Sequence, residues 1–155
     1  EYARYTEDGN INAQSLTRLM RKIRTATDLV PEPIIEINGE DSCGVIYYGS
    51  SKPAVLEAKD ILKTKDINLD LMQIRSFPFN LDVWEFIANH DRIYVVEQNR
   101  DSQMRTLIMA EGGISAEILR PLVHFTGDPI EASYIVNKIS EREVNYKSHK
   151  NIKER

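Results

Sequence analysis

The chain has 155 residues, 41% of them hydrophobic and 28% charged, a length that fits one domain able to bury about two-thirds of its unfolded surface. Its net charge of −4 excludes a global attraction to nucleic acid or to an anionic membrane, and no run approaches the roughly 18–20 apolar residues of a spanning helix. The lone Cys43 excludes an internal disulfide and any cysteine-held cluster, and with no signal-peptide pattern the expected compartment is the cytoplasm.

Residues 1–10 (EYARYTEDGN) show neither periodicity and open on Glu1; residues 1–11 are expected to be the tail of a preceding domain, the alternative being a trimmed native terminus. Leu16, Leu19, Met20 and Ile23 then fall at i, i+3, i+4 and i+7, which predicts a helix from about Asn12 to Thr27 with one apolar stripe. Arg18, Arg21, Lys22 and Arg24 line its other face, read as solvated or docked on a neighbouring domain rather than on nucleic acid. Residues 12–30 are thus a linker helix, ended by the prolines of Leu29–Pro33.

The globular body is expected over residues 34–141. Ile34 to Ile37 is a short strand followed by a turn at Asn38-Gly39. Gly44 to Tyr48 is a second strand; Gly49-Ser50-Ser51 turns it into a helix with Pro53 in its first turn, running to about Lys63. Leu69 to Arg75 is a third strand, and Asn80 is placed to cap a helix from Leu81 to Asn89. Ile93 to Val96 is the fourth strand, followed by a polar run, Glu97 to Ser102, and a helix to about Ala110 that stops at Gly112-Gly113. Leu122 to Phe125 is the fifth strand. Asp128-Pro129-Ile130-Glu131 resembles a capping box for a helix to about Ser140, and residues 142–155 read as a flexible basic tail. Strands alternating with helices at this spacing predict a three-layer α/β/α fold around a mainly parallel sheet.

Several chemistries find no motif. There is no GxGxxG, no GxxxxGK[ST] and no GxSxG, and the histidines at 90, 124 and 149 lack ligand spacing, so no metal site is expected. Gly127-Asp128-Pro129 and Glu7-Asp8-Gly9-Asn10 faintly echo a magnesium-binding Gly-Asp-Gly…Asn motif, without its spacing. Two features remain. Small residues at Ser50 and Ser51 leave a helix N-terminus open to an anion, although plain helix capping explains them as well. Gln98, Asn99, Arg100 and Asp101 crowd the carboxyl end of a buried strand, where ligands and partners dock in such sheets. Asp101 is expected to cap the next helix and pair with Arg105, and the remaining amides and guanidinium call for a partner. If the third and fourth strands flank the second, Ser50, Ser51, Asn99, Arg100 and Asp101 line one crevice at a topological switch point.

The segments GVIYYGSS, RSFPFN, RIYVVEQNRDSQMRTL and LVHFTGDPIEA resemble the α subunit of 2-oxoacid:ferredoxin oxidoreductases, closest to the 2-oxoglutarate type. More narrowly they resemble its C-terminal, transketolase C-terminal-like domain, over about Leu16 to Ile139; VVEQNRDSQMR is the most specific part. The resemblance implies a five-stranded sheet with one antiparallel edge strand, here Ile34 to Ile37. It implies an enzyme that decarboxylates a 2-oxo acid oxidatively with coenzyme A and passes electrons to ferredoxin. Thiamine diphosphate, magnesium and iron–sulfur clusters belong to the full complex, and this domain is expected to bind none of them. Its implied partners are the upstream domain of the same subunit and the β subunit. The family pattern has glycine where this chain has Ser102, which weakens a ligand-binding role for the loop if that glycine served close backbone approach. A stand-alone anion-binding module, or the equivalent domain of another thiamine diphosphate enzyme, are the competing readings.

Overall fold

The computed structural model describes the backbone of residues 5–39 and 43–153, and side chains as far as residue 146. Five strands form one sheet: β1 (Ile34–Glu36), β2 (Cys43–Tyr48), β3 (Leu69–Ile74), β4 (Ile93–Glu97) and β5 (Leu119–Val123). Their order across the sheet is β1-β3-β2-β4-β5. All neighbours are parallel except β1, which runs antiparallel to β3 at the edge. The mixed α/β architecture with one antiparallel edge strand is the one expected. Because β3 and β4 flank β2, the loops leaving β2 and β4 part at a switch point.

Strand alternation sorts the core into two layers. Val45, Tyr47, Tyr94 and Val96 pack under helix α2 (Lys52–Lys63) and helix α5 (Ala132–Lys153), with Val55, Leu62, Ile135 and Ile139. Ile46, Met72, Ile93 and Val95 face the other way, under helix α3 (Leu81–Ala88) and helix α4 (Gln103–Gly112), with Val83, Phe86, Ile87 and Ile108. The five residues of β4 are all buried, which is why the strand is apolar on both faces rather than alternating. Each Leu or Ile fully buried this way contributes about 1.5–3 kcal/mol.

Helix α1 (Gly9–Ala26) starts earlier than its apolar stripe suggests, because Asp8 accepts from the backbone N–H of Asn10 at 2.8 Å and of Ile11 at 3.3 Å. Of the two faint Gly-Asp echoes, this one is the helix cap. No residue of α1 is buried. Leu16, Leu19, Met20 and Ile23 are 45–65% exposed, and towards the end of the helix Met20, Ile23, Arg24 and Thr27 border a recess closed by Pro78, Phe79, Trp84 and Glu111.

Three expectations are corrected. Strand β5 begins at Leu119, three residues before the expected start, since Pro121 and Arg120 mask it; proline is tolerated on an edge strand. The Asp128–Glu131 segment does not open α5, which starts at Ala132, and the helix runs past Ser140 to Lys153 rather than fraying from residue 142. Arg142 and Glu143 hold the helix there: Glu143 is 1% exposed and Arg142 donates to the Pro121 carbonyl at 2.8 Å. Residues 154 and 155 lie outside the described chain. Asn80 does stand at the N-terminus of α3, but its side chain makes no capping bond; its amide donates to Asp82 at 3.4 Å instead.

The two sheet edges differ. The alternate carbonyls of β5 each accept from a side chain: Leu119 from Arg105 at 2.6 Å, Pro121 from Arg142 at 2.8 Å and Val123 from Tyr134 at 2.8 Å. With Pro121 lacking an N–H, this edge offers little to an incoming strand. Edge β1 is three residues long, anchored to α2 by a 2.7 Å ion pair between Glu36 and Lys59, which holds the Glu36 carboxyl below its ordinary value.

Candidate functional site

Gly49 takes a left-handed φ of +58° as the chain leaves β2, a conformation that favours glycine. Gly49–Ser51 forms a 3-10 turn into α2, with Ser51 buried. Across the switch point, the Gln98 amide nitrogen donates to Ser50 Oγ at 3.0 Å and to Ser51 Oγ at 3.2 Å. Its oxygen accepts from the Ile130 N–H at 3.2 Å. One side chain thus ties together the β2–α2 turn, the β4–α4 loop and the approach to α5. The structure places Gln98 against Ser50 and Ser51, a contact the expected crevice did not include, and all three are bonded within the chain.

Asn99 is also used internally. Its amide nitrogen donates to Glu97 at 2.8 Å and lies 3.4 Å from the Tyr48 hydroxyl, while its oxygen accepts from the N–H groups of Asp101 at 3.1 Å and Gln103 at 3.3 Å. The expectation that Asp101 caps α4 is corrected: Glu97 does so. The Glu97 carboxylate, fully buried, accepts from the backbone N–H of Met104 at 2.7 Å and of Arg105 at 3.0 Å. A carboxylate facing the N–H groups of a helix's first turn satisfies orphan donors and meets the favourable end of the helix dipole. Arg105 does not pair with Asp101; it turns to the carbonyls of Leu119 at 2.6 Å and Ala116 at 3.0 Å.

The turn that makes this possible is at Ser102, whose φ of +51° and ψ of +49° are left-handed. Only there does the chain fold back so that α4 begins over the last residue of β4. A non-glycine residue in this region costs about 1–2 kcal/mol. This supplies a backbone reason for glycine at the position, in place of close approach to a ligand.

What remains outside is Arg100 with Asp101. The two bond to each other at 2.7 and 3.3 Å, with side chains 74% and 56% exposed. An exposed neighbouring pair of this kind adds little to stability, about 0–1 kcal/mol, so it stands free to meet another surface. The site presents hydrogen-bonding and charge, with no nucleophile–base pair. Burial and the nearby Glu97 push the Tyr48 phenol up, against the opposing bond from Asn99.

Sequence reasoning missed the buried charges at the other end of the sheet. Arg92 Nε donates to Glu143 at 2.8 Å and the Tyr94 hydroxyl donates to the same carboxylate at 2.8 Å, with Arg120 3.9 Å away. The signal was present: Glu143 falls four residues after Ile139 and eight after Ile135, on the apolar face of α5. His90, taken as a helix-end residue, is buried. Its Nδ1 lies 2.7 Å from the Phe86 carbonyl and its Nε2 3.1 Å from Asp70. His124 is beside the Asp128 carbonyl at 3.0 Å, on the surface, and the side chain of His149 lies outside the described residues. Among the described residues no three His, Cys, Asp or Glu are grouped to hold a metal ion. The Cys43 thiol is pushed up to about 12, chiefly by burial, which makes it a core residue rather than a ligand or nucleophile. No described helix is long and apolar enough to cross a membrane.

No protein-family model matches the chain. It is 26% identical over 150 residues to "2-oxoacid:ferredoxin oxidoreductase 2, subunit alpha" of Aeropyrum pernix, covering 91% of this chain and 23% of that protein. Its fold superimposes with a TM-score of 0.74 on a 2-oxoglutarate:ferredoxin oxidoreductase from Magnetococcus marinus, at 22% identity, over 88% of this chain and 24% of that one. That enzyme was solved with 2-oxoglutarate, coenzyme A and succinyl-CoA bound. The chain spans about a quarter of the length of these relatives. Over that quarter it is similar in sequence to the α subunit of a 2-oxoacid:ferredoxin oxidoreductase and similar in fold to a 2-oxoglutarate:ferredoxin oxidoreductase.

Proposed function

We propose that this chain is the C-terminal, non-cofactor-binding domain of a 2-oxoacid:ferredoxin oxidoreductase α subunit, of the 2-oxoglutarate type. It supports assembly of an enzyme that converts a 2-oxo acid and coenzyme A to an acyl-CoA and reduces ferredoxin. The observation that carries this reading is the loop from Glu97 to Ser102: its amides are spent on the chain itself, while Arg100 and Asp101 are displayed at the switch point. Such a loop is suited to gripping a β subunit, or to bordering the route of coenzyme A, and not to bond-breaking chemistry.

The residues of this chain do not fit the cofactors of the whole complex. Iron–sulfur clusters need several thiolates, and the single Cys43 is buried and protonated. Magnesium on a diphosphate takes one or two carboxylates with neighbouring oxygens; the two Gly-Asp segments that echo such a motif lack its spacing, and Asp8 is spent on capping α1. In this reading those groups sit in the upstream domain and in the β subunit. Helix α1 (Gly9–Ala26) then links the domain to the upstream one, and the core of this domain runs from residue 34 into α5, past Glu143. The exposed stripe of α1, flanked by Arg18, Arg21, Lys22 and Arg24, docks on the rest of the subunit.

The test is to express the full-length α subunit with its β partner and follow ferredoxin reduction with a panel of 2-oxo acids. Reduction that requires coenzyme A and favours 2-oxoglutarate is expected. Absence of any 2-oxo acid-dependent reduction by an assembled complex contradicts the reading.

A further inference from the structure

Helix α1 and the body face each other as two apolar walls. One wall is the end of the α1 stripe, Met20 and Ile23; the other is Pro78, Phe79 and Trp84, and the recess between them measures about 340 Å³. A water takes about 30 Å³, and packed interiors leave few gaps larger than one. An open gap of this size between apolar walls is not a finished contact.

The body wall is built in advance. Phe79 meets Trp84 edge to face with ring centroids 5.6 Å apart, and Phe77 meets Phe79 in the same way at 5.2 Å. The Trp84 ring lies so close to Gly112 that a Cβ there would strike it, so glycine is what lets the ring settle against α4. Phe79 is buried, whereas Phe77 and Leu81 beside it in the sequence stand exposed. Aromatic groups fixed by their neighbours are the usual anchors of protein interfaces. The Phe-Pro-Phe turn thus acquires a use that the loop after β4 does not account for.

The rim carries one charge on each wall. Arg24 of α1 and Glu111 of α4 both border the recess, yet among the described residues neither is paired with the other or with any other side chain. A partner that lays an apolar ridge between the walls can set a carboxylate beside Arg24 and a cation beside Glu111.

Tethering selects the partner. Helix α1 has 18 residues, a length of about 27 Å at about 1.5 Å per residue. In the function proposed above it joins this domain to the upstream one. That domain is then held at the far end of the stripe and meets the recess at an effective concentration on the order of 1 mM, which no free protein matches.

We propose that a segment of the upstream domain of the same subunit seats in this recess, its apolar side chains between Ile23 and Trp84 and its charges against Arg24 and Glu111. The proposal rests on the reading of the chain as part of an α subunit, and adds the seat, its aromatic anchors and the charge pattern of what fills it.

Hydrogen exchange read by mass spectrometry tests it, on the 155-residue chain and on the full-length α subunit, alone and with its β partner. In the 155-residue chain no residue of α1 is buried, so its amides should exchange fast. In the full-length subunit they should slow by about tenfold or more, with or without the β partner. Ile23→Ser and Arg24→Glu should each restore fast exchange there, and Glu111→Lys should weaken the protection. Melting curves of the same variants in the 155-residue chain establish that each is folded. Fast exchange in every setting, slow exchange that none of the three variants alters, or slow exchange only with the β partner overturns the proposal. Slow exchange already in the 155-residue chain overturns it too, in favour of a second copy if sedimentation shows a dimer and of closure on its own body if it shows a monomer. Slow exchange in a complex that lacks 2-oxo acid-dependent ferredoxin reduction supports the seat and contradicts the enzyme reading; fast exchange in an active complex does the reverse.

Discussion

A buried glutamate lies at each end of strand β4, Glu97 from the strand itself and Glu143 from α5, and the two are held in opposite ways. At the carboxyl end Glu97 faces neutral donors, two backbone N–H groups of α4 and the Asn99 amide. At the amino end Glu143 faces a guanidinium and a phenol, with a second guanidinium nearby. A carboxylate held by backbone donors shapes the chain that supplies them, here the loop that carries Arg100 and Asp101. One held by a charged side chain is an ion pair, whose partner becomes a buried liability when the carboxylate goes. The first builds a display; the second clamps α5 to the sheet.

Glu143→Gln separates the two most strongly. It leaves the Arg92 charge without its carboxylate and should cost about 3–5 kcal/mol, read by urea unfolding. Combining Glu143→Leu with Arg92→Met should recover most of the loss, because no charge is then stranded. Glu97→Gln should cost less, about 1–3 kcal/mol, through one mismatched N–H. No side-chain replacement rescues it, since its main partners are backbone groups. A full rescue at Glu97, or none at Glu143, would erase the distinction.

Alkaline pH tests the clamp alone. Tyr94 sits in it with a folded pKa raised well above its ordinary 10.0, first by burial and then by Glu143. Cys43 nearby is raised from 9.0 to about 12. Both groups keep their protons in the folded state, so their contribution is complete below the unfolded pKa values and is lost as pH rises through the folded ones. Stability measured by urea should therefore hold to about pH 9 and fall above it, and a thiol reagent should label Cys43 only on unfolding. Ready labelling of the folded chain would contradict the burial. The smallest effect is expected at Ser102→Gly. Relief of the left-handed strain, set against the entropy of glycine in the unfolded chain, should stabilise the fold by up to about 1 kcal/mol.

The sheet was legible because β2, β3 and β4 are short apolar runs between turn residues, and two right-handed crossovers around β2 leave few other orders. That same topology brought Ser50, Ser51 and Gln98 to one place. Strand β5 hid its start behind Arg120 and Pro121, whose edge role is set by tertiary contacts with α5. The end of α5 was misread because Arg142 and Glu143 look solvated until Arg92 and Tyr94 are beside them. In the loop, Asp101 is the natural cap by spacing, yet Glu97 takes the role. Local spacing says nothing of a left-handed residue at 102, and that residue turns the helix back over the strand.

The central claim is that the loop after β4 is built by the chain and displayed by Arg100 and Asp101. The double variant Arg100→Ala, Asp101→Ala tests it in two settings. In the 155-residue chain the melting temperature should stay within about 2 °C, as for exposed side chains. On the function proposed above, assembly of the full-length α subunit with its β partner, or the apparent affinity for coenzyme A, should fall. A chain destabilised by several degrees, or a complex whose assembly and coenzyme A dependence are both unaltered, would contradict the account.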